Sequence, residues 1–394
     1  MAQVEIHLSD AQGAYGDTPF SEAAPIIQAH LDRAFALDSD LSAAHAGQGL
    51  LYSKQTKTGE AIASLERAIE INPNNLEAKM WLAFEYSGTR RHRDVAQTFV
   101  EVFDKDPLFG PIGPNAINQL ALIGELERAQ EIVDRLHAID PGSSTTLVAK
   151  LTLMGIQGNW GDAINTLLKL LETDPDNARW KAGLAGTYGN LRAVPEMRQY
   201  GSALQQTAAD WLEGDTETAR TKYEAILAQA PDNALLTNLY IDLLAQNGDF
   251  QDAVDFFDAT WSDLRTFEKK TFSPYSDVGP AYADLALSFQ KTGQDEMAKE
   301  TLRRMRTSLD LDKAGGAANL HIDEAKWQAL TGDHQGAIAT LEEAFASQTI
   351  MPPSIFMWPG FDVIQEHPDF IDLNTRNIAR INEERAIVGL APLE

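Results

Sequence analysis

The sequence predicts an all-α protein, a right-handed α-solenoid superhelix built from stacked helix pairs. Three observations carry that prediction. Four prolines stand at 73, 107, 141 and 175, each 34 residues after the last, and each closes a similar acidic phrase: Ile-Asn-Pro-Asn, Asp-Lys-Asp-Pro, Ala-Ile-Asp-Pro and Thr-Asp-Pro-Asp. A constant period of this length marks one supersecondary unit copied and stacked. Within a period, small and large apolar residues fall at helical spacings in two blocks, which reads as two amphipathic helices packed on each other. The 394 residues are 44% hydrophobic and 8% aromatic, enough material for a core that grows as repeats are added.

Taken in order, residues 1–41 read as an atypical first repeat, with Ala11 to Phe20 (holding Gly13, Gly16 and Pro19) linking its two helices. The regular array occupies 42–176. In the unit ending at Pro73, Gly49, Ala61 and Ala68 let two helices approach closely while Tyr52 and Leu65 fill the groove between them, the blocks being separated by Thr58-Gly59. The unit ending at Pro107 repeats this with Leu82, Ala83, Tyr86 and Phe99. Those ending at Pro141 and Pro175 use Gly124, Ala129, Val133 and Gly158, Ala163, Leu167. In each, proline after an acidic residue stops the second helix and turns the chain into the next unit.

The beat then fails. Pro231 follows Pro175 by 56 residues, 22 more than one period, so an extra helix or irregular half-repeat is expected around 177–200. Ala193-Val-Pro-Glu-Met opens that helix, since proline is tolerated in a first turn. There the array is expected to divide into two superhelical halves with a cleft between them. Residues 177–265 are thus an irregular centre with further repeats, among them Trp211 to Ala219 with Tyr223, and Asn247 to Ala253 with Phe257. An inserted loop follows at 266–279. Two C-terminal repeats fill 280–348, around Thr292-Gly-Gln-Asp and Thr331-Gly-Asp-His, and 349–394 is a non-repeat cap. The total is about nine helix pairs.

These residues resemble the tetratricopeptide repeat, whose pattern is a bulky residue, Leu-Gly, Tyr, then Ala, an aromatic, Ala and a terminal Pro; the unit at 42–75 matches almost every position, and the resemblance runs over residues 20–348. The tail resembles the end of the repeat regions of bacterial membrane-bound regulators, in which the repeats follow a winged-helix or nucleotide-cyclase domain. Phe361, Asp362, Pro368 and Phe370 carry that likeness. It implies a signal-receiving role and, as part of an anchored protein, a bacterial periplasmic rather than cytoplasmic placement. No DNA-binding or cyclase sequence precedes the repeats in this chain. Physically, the tail is expected to cover the apolar face of the last repeat.

Composition narrows the partners. With 32 basic and 58 acidic residues the formal charge is −26, which argues against nucleic acid and anionic membrane surfaces, since both are recognised through clustered Lys and Arg. Such acidity keeps a large surface soluble, and it suits a basic partner. There are no cysteines, hence no disulfide, thiolate catalysis or cysteine-ligated metal. The first residues lack a basic stretch followed by an apolar one, so no signal peptide is read. No apolar run approaches the ~18 residues of a membrane span.

Catalytic and cofactor patterns are missing. The sequence has no Gly-x-Ser-x-Gly elbow, and Gly315-Gly316 lacks a Walker lysine and reads as a turn. His92-Arg93-Asp94 matches a kinase loop in letters alone, Asp310-Leu-Asp312 is too short for a calcium loop, and His321, His334 and His367 lack metal-ligand spacing. No cofactor, metal or catalytic residue is assigned, and the chain reads as a non-enzyme. What remains is binding. In the resembling family the first helix of each repeat lines a concave groove; carried over to the matched positions, this implies Met80, Phe84, Asn118, Ala121, Asn190, Trp211, Asn238, Asp242 and Gln290 as groove residues. An apolar lining with scattered amides suits a protein or peptide partner, with Phe84 and Trp211 as aromatic anchors. The alternative is a small-ligand sensor that holds an apolar molecule at the register break near 177–200 or under the loop 266–279.

Overall fold

A computed structural model of the chain describes residues 9–10, 18–110, 112–231, 233–271, 281–347 and 350–393. The fold is an all-helical α-solenoid. Among the described residues, its one departure from helix is a parallel pairing of two-residue strands, β1 (Ser9–Asp10) and β2 (Thr18–Pro19). The expected link at Ala11 to Phe20 lies for the most part outside the described residues, and Phe20 itself opens the long helix α1 (Phe20–Leu37).

Nine helix pairs follow among the described residues. The first four are α2 (Ser42–Lys54) with α3 (Thr58–Ile71), α4 (Leu76–Gly88) with α5 (His92–Lys105), α6 (Ile112–Leu122) with α7 (Leu126–Ile139), and α8 (Ser144–Gln157) with α9 (Trp160–Thr173). Next come α10 (Ala178–Asn190) with the short α11 (Val194–Tyr200), α12 (Ala203–Leu212) with α13 (Thr216–Leu227), and α14 (Ala234–Asn247) with α15 (Phe250–Thr260). A lone helix, α16 (Leu264–Thr271), precedes α17 (Tyr282–Lys291) with α18 (Asp295–Ala314) and α19 (His321–Thr331) with α20 (His334–Ala346). The cap holds α21 (Pro353–Phe356), a 3-10 turn at Pro359–Phe361 and the long α22 (Pro368–Ile387).

The local chemistry explains these boundaries. Asn75, Asn177 and Asn233, each two residues after a repeat proline, accept a hydrogen bond from the backbone N–H of Ala78, Trp180 and Leu236 and so cap the next first helix. Within each of the nine pairs, the residue two before the second helix is left-handed. Glycine fills that place at 124, 158, 214, 248, 293 and 332, with φ between 75° and 89°, whereas Thr56, Arg90 and Arg192 hold it at 58°, 59° and 51°. The turn of the first complete repeat is therefore Gln55–Lys57, not Thr58-Gly59, and Gly59 lies inside α3. A β-branched residue at positive φ is strained. Thr56→Gly is expected to stabilise the chain by roughly 0.5–1 kcal/mol, the relief of that strain less the extra freedom of glycine when unfolded. A urea midpoint that stays put or falls would contradict this.

Small residues set the close contacts within a pair. Ala61, Leu65 and Ala68 of α3 are fully buried, and a Cβ on Gly49 would lie 2.6 Å from the Leu65 side chain. In the irregular centre, Pro195 stands in the first turn of α11 as expected, but that helix has only seven residues and Ala203 opens α12 almost at once. The truncated second helix is the origin of the lost beat. The expected inserted loop at 266–279 requires correction: 264–271 is helical, because Leu264 and Phe267 are buried on one face and Asp263 accepts from Thr266 N–H and hydroxyl at its start. Residues 272–279 of that loop lie outside the described residues.

The helices form two compact units, one running to Thr146 and including Ala314–Ala317, the other comprising Leu147–Lys313 and Ala318–Glu394. The division thus falls inside α8 rather than at the expected 177–200. The reason is the cap. Instead of only covering the last repeat, it returns to the start of its own unit, so that the second unit closes on itself: α9 packs on α10, each later repeat on the one before it, α20 on α22, and α22 on α9. Gly161 N–H donates to the Glu384 carboxylate at 2.8 Å, and a Cβ there would meet Ile387 at 2.7 Å. The guanidinium of the buried Arg385 donates to the carbonyls of Ala391 and Leu191. Asn377, fully buried, brackets Met351 by accepting its N–H at 3.0 Å and donating to its carbonyl at 2.8 Å.

Candidate functional site

Closing this ring encloses an inner face made by consecutive first helices. Between α10, α12, α14 and the cap residues Pro352–Ser354 lies a cavity of about 410 Å3. Each helix offers it one stripe at the spacing of neighbouring turns: Gly186, Gly189 and Asn190 from α10; Leu204, Thr207, Ala208 and Trp211 from α12; Leu239, Asp242, Leu243 and Gln246 from α14. The space exists because α10 contributes glycines. A Cβ on Gly186 would still lie 3.8 Å from its nearest neighbour, the Gln205 side-chain nitrogen. Tyr223, whose hydroxyl donates to Leu236 O at 3.0 Å, and Arg192, whose guanidinium points at Met357 Sδ 2.9 Å away, complete the wall.

The polar floor is acidic. Asp242 has one hydrogen bond among the described residues, from Gln246 Nε2 at a long 3.4 Å. Burial, reinforced by the negative charge of Asp284 and opposed by Lys326, pushes its carboxyl up to about 6. Asp242 keeps part of its surface on the cavity. Beyond it stands a buried set: Trp358 Nε1–H donates to Asp284 Oδ1 at 2.7 Å, Lys326 Nζ is 3.9 Å from the same oxygen, and Nζ lies 4.9 Å over the Trp358 ring. Burial works against the Lys326 ammonium, yet the carboxylates of Asp284, Asp242 and Asp323 outweigh it and keep it protonated. Asp323, one turn before Lys326 on α19, is exposed.

A neighbour on α12 shows what a satisfied carboxylate looks like in the same unit. Asp210, buried, receives Arg198 at 2.8 Å and Lys222 at 2.7 Å. Burial alone would raise its pKa, but those two cations bring it below the ordinary carboxylate range. Asp242 has no such pairing, and Gln246 Oε1 beside it is buried with no hydrogen-bond partner among the described residues. Asp242 therefore faces the cavity without an adequate donor, while Gln246 Oε1 lies beneath the cavity surface.

Of the residues expected in a groove, Asn190, Trp211 and Asp242 line this one cavity. Trp211 also donates Nε1–H to Asn247 Oδ1 at 2.9 Å, which fixes its ring. Asn238 is not a groove residue: it is 3% exposed, donates to Thr271 O and accepts from Ala281 N–H, both at 3.3 Å, and so ties α14 to the chain on either side of 272–280. Gln290 is exposed and donates to Leu330 O at 3.1 Å, joining two repeats. Ala121 is buried in its repeat. Met80, Phe84 and Asn118 belong to the first unit and are half-buried; the Phe84 ring meets Phe99 edge-on at 5.4 Å and Trp81 at 5.7 Å. Arg192, Gln246, Asp284, Lys326 and Trp358 were not singled out from the sequence.

Comparison with known proteins bears on the repeats. Residues 211–266 and 43–75 each match a tetratricopeptide repeat family model. No curated protein matches the sequence. Among solved structures, the chain is similar to a tetratricopeptide repeat protein from Parabacteroides merdae ATCC 43184, at 13% identity over 56% of this chain and 92% of the other, with a TM-score of 0.47. It is also similar to a chain of the APC/C hetero-tetramer Cut9-Hcn1 (14% identity, 86% of this chain and 76% of that one, TM-score 0.44). A human IFIT1 dimer with PPP-AAAA gives 13% identity over 81% and 78%, with a TM-score of 0.42. The matched repeats support a protein-interaction scaffold in general terms. Among the described residues, no helix is long and apolar enough to cross a membrane.

Proposed function

We propose that this repeat protein is a non-enzymatic binding module that receives a compact ligand on the inner face of its second unit. The observation that carries the reading is the cavity of about 410 Å3 at the register break, walled by like faces of three successive helices and closed by Pro352–Ser354. That volume suits a small molecule or the end of a peptide, and falls far short of a folded partner. An apolar wall around a few convergent polar groups is the usual make-up of such sites. A ring that shuts over its ligand fits the signal-receiving role that the tail's likeness to bacterial regulators implies.

The half-buried aromatics Trp81 and Phe84, backed by the buried Phe99, favour a second reading for the first unit, an extended peptide or protein partner held on α4. One experiment separates the two. Metabolite-sized compounds and short peptides are screened by their effect on the melting temperature of the full chain, since a ligand at a hundred times its Kd stabilises by about 2.7 kcal/mol. The same compounds are then applied to Ala208→Leu, which fills the cavity, and to Phe84→Ala. Loss of stabilisation in Ala208→Leu alone, with helical circular dichroism intact, is the expected result. Stabilisation that survives there and disappears in Phe84→Ala assigns binding to the first unit instead.

A further inference from the structure

We propose that the cavity's ligand is an organic monocation, an ammonium on an apolar body, whose N–H groups are received by the Asp242 carboxylate. This rests on the cavity being the binding site, and it adds the chemical class.

Three features point the same way. The polar atoms left unmet on the wall are acceptors, the carboxylate oxygens of Asp242, whose single hydrogen bond among the described residues is a long one from Gln246. A ligand that satisfies them has to bring donors. The charge around them is negative as well, the three carboxylates Asp242, Asp284 and Asp323 against the two cations Lys326 and Arg192, so a positive donor group is favoured over a neutral one. The remaining wall is hydrocarbon and aromatic, with Leu204, Leu239, Leu243, Trp211 and Tyr223. It offers apolar contact to the ligand's body and ring faces to its charge.

Arg192 sharpens the class. Its guanidinium sits on the same wall, so a second ammonium on the ligand would meet a like charge. The cavity thus prefers a monoamine to a polyamine. Binding of a cation requires Asp242 ionised, and its carboxyl titrates near 6. The groups that face it are Gln246 on its own helix, Tyr223 on α13, Asp284 on α17, Lys326 and Asp323 on α19, and Arg192 after α10.

The test uses the full chain and three probes of one shape: 2-phenylethylammonium, the neutral 2-phenylethanol and the anionic 3-phenylpropanoate, by titration calorimetry at about pH 8 and about pH 5. The ammonium is expected to bind at least about tenfold more tightly than the alcohol at the higher pH, and that preference is expected to shrink about tenfold at the lower. Asp242→Asn is expected to abolish the preference at both pH values while still binding the alcohol, which shows the cavity intact. Equal binding of ammonium and alcohol by the wild-type chain overturns the ammonium assignment and leaves the cavity reading standing. A preference undiminished in Asp242→Asn overturns Asp242 as its source. Failure of all three probes to bind at concentrations on the order of 10 mM takes down both this proposal and the cavity reading.

Discussion

Replacing Trp358 by alanine is expected to destabilise the second unit by about 4–5 kcal/mol, towards the upper end for a buried aromatic. The indole is 0% exposed, meets Phe361 edge-on at 4.9 Å, and leaves no room beside it: a Cβ on Gly360 would lie 2.2 Å from the ring. Its removal opens a cavity and also deprives Asp284, itself only 5% exposed, of the Nε1–H that neutralises part of its charge. An unsatisfied buried acceptor of this kind costs about 1–3 kcal/mol on its own. Lys326 loses the ring face beneath its ammonium at the same time. With a whole unit stabilised by about 5–15 kcal/mol, such a loss is a large share. Urea unfolding of the full chain, followed by circular dichroism, should show one transition moving while the other stays, because the chain has two units. Trp358→Phe keeps the ring and drops the donor, and should lose only about 1–2 kcal/mol. If Trp358→Ala unfolds no earlier than a change at the exposed Val363, the cap is not holding the ring closed.

How far all this was legible in the sequence can be traced to particular residues. The repeat, its helix pairs and the proline opening of α11 follow from local rules, because caps, turns and apolar spacing act over a few residues. Ring closure does not. Gly161 meeting Glu384 and Ile387, or Leu191 meeting Arg385, joins segments about two hundred residues apart, and no local pattern marks such a partner. The groove residues were half visible. Asn238 stands seven residues after Pro231 as Met80 does after Pro73, so it was placed in a groove; it is buried because it bonds Thr271 and Ala281, partners that no local pattern marks. Alignment on the left-handed turn residue keeps register throughout. Counted back six residues from that turn, Gly186, Ala208, Asp242 and Lys326 occupy equivalent places in their helices; counted back nine, so do Asp284 and Asp323. For Ala208, Asp242 and Lys326 that turn residue is a glycine, so these three places could be counted from the sequence alone; for Gly186 it is Arg192, which no local pattern marks. Trp358 stands just before the cap motif that Phe361 opens, but its bond to Asp284 depends on the ring closing.

Asp242→Asn is expected to raise stability at about pH 8 by about 1–3 kcal/mol and to leave it nearly unchanged at about pH 4. The sign follows from proton linkage. In the unfolded chain the carboxyl titrates at its ordinary 3.8, and in the folded one at about 6. Between those values the folded state binds a proton that the unfolded state has released, so stability falls as pH rises through the window and is flat above it. Two pH units correspond to roughly 3 kcal/mol at most, and water in the cavity screens part of that. Asparagine has no proton to release and removes the slope. Asp284, Asp323, Lys326, Tyr223 and Arg192 face the site in both proteins, so the difference between the two pH profiles isolates Asp242. A variant less stable than wild type at both pH values would mean that Asp242 supports the fold through a bond that asparagine cannot make. The expected outcome says the opposite: a carboxylate that weakens its own unit at neutral pH, beside an unsatisfied amide and facing an apolar cavity, is placed for a ligand and not for packing. An ammonium bound there supplies the missing positive charge, so 2-phenylethylammonium should raise the melting temperature of the wild-type chain well above pH 6 and leave that of Asp242→Asn almost unmoved.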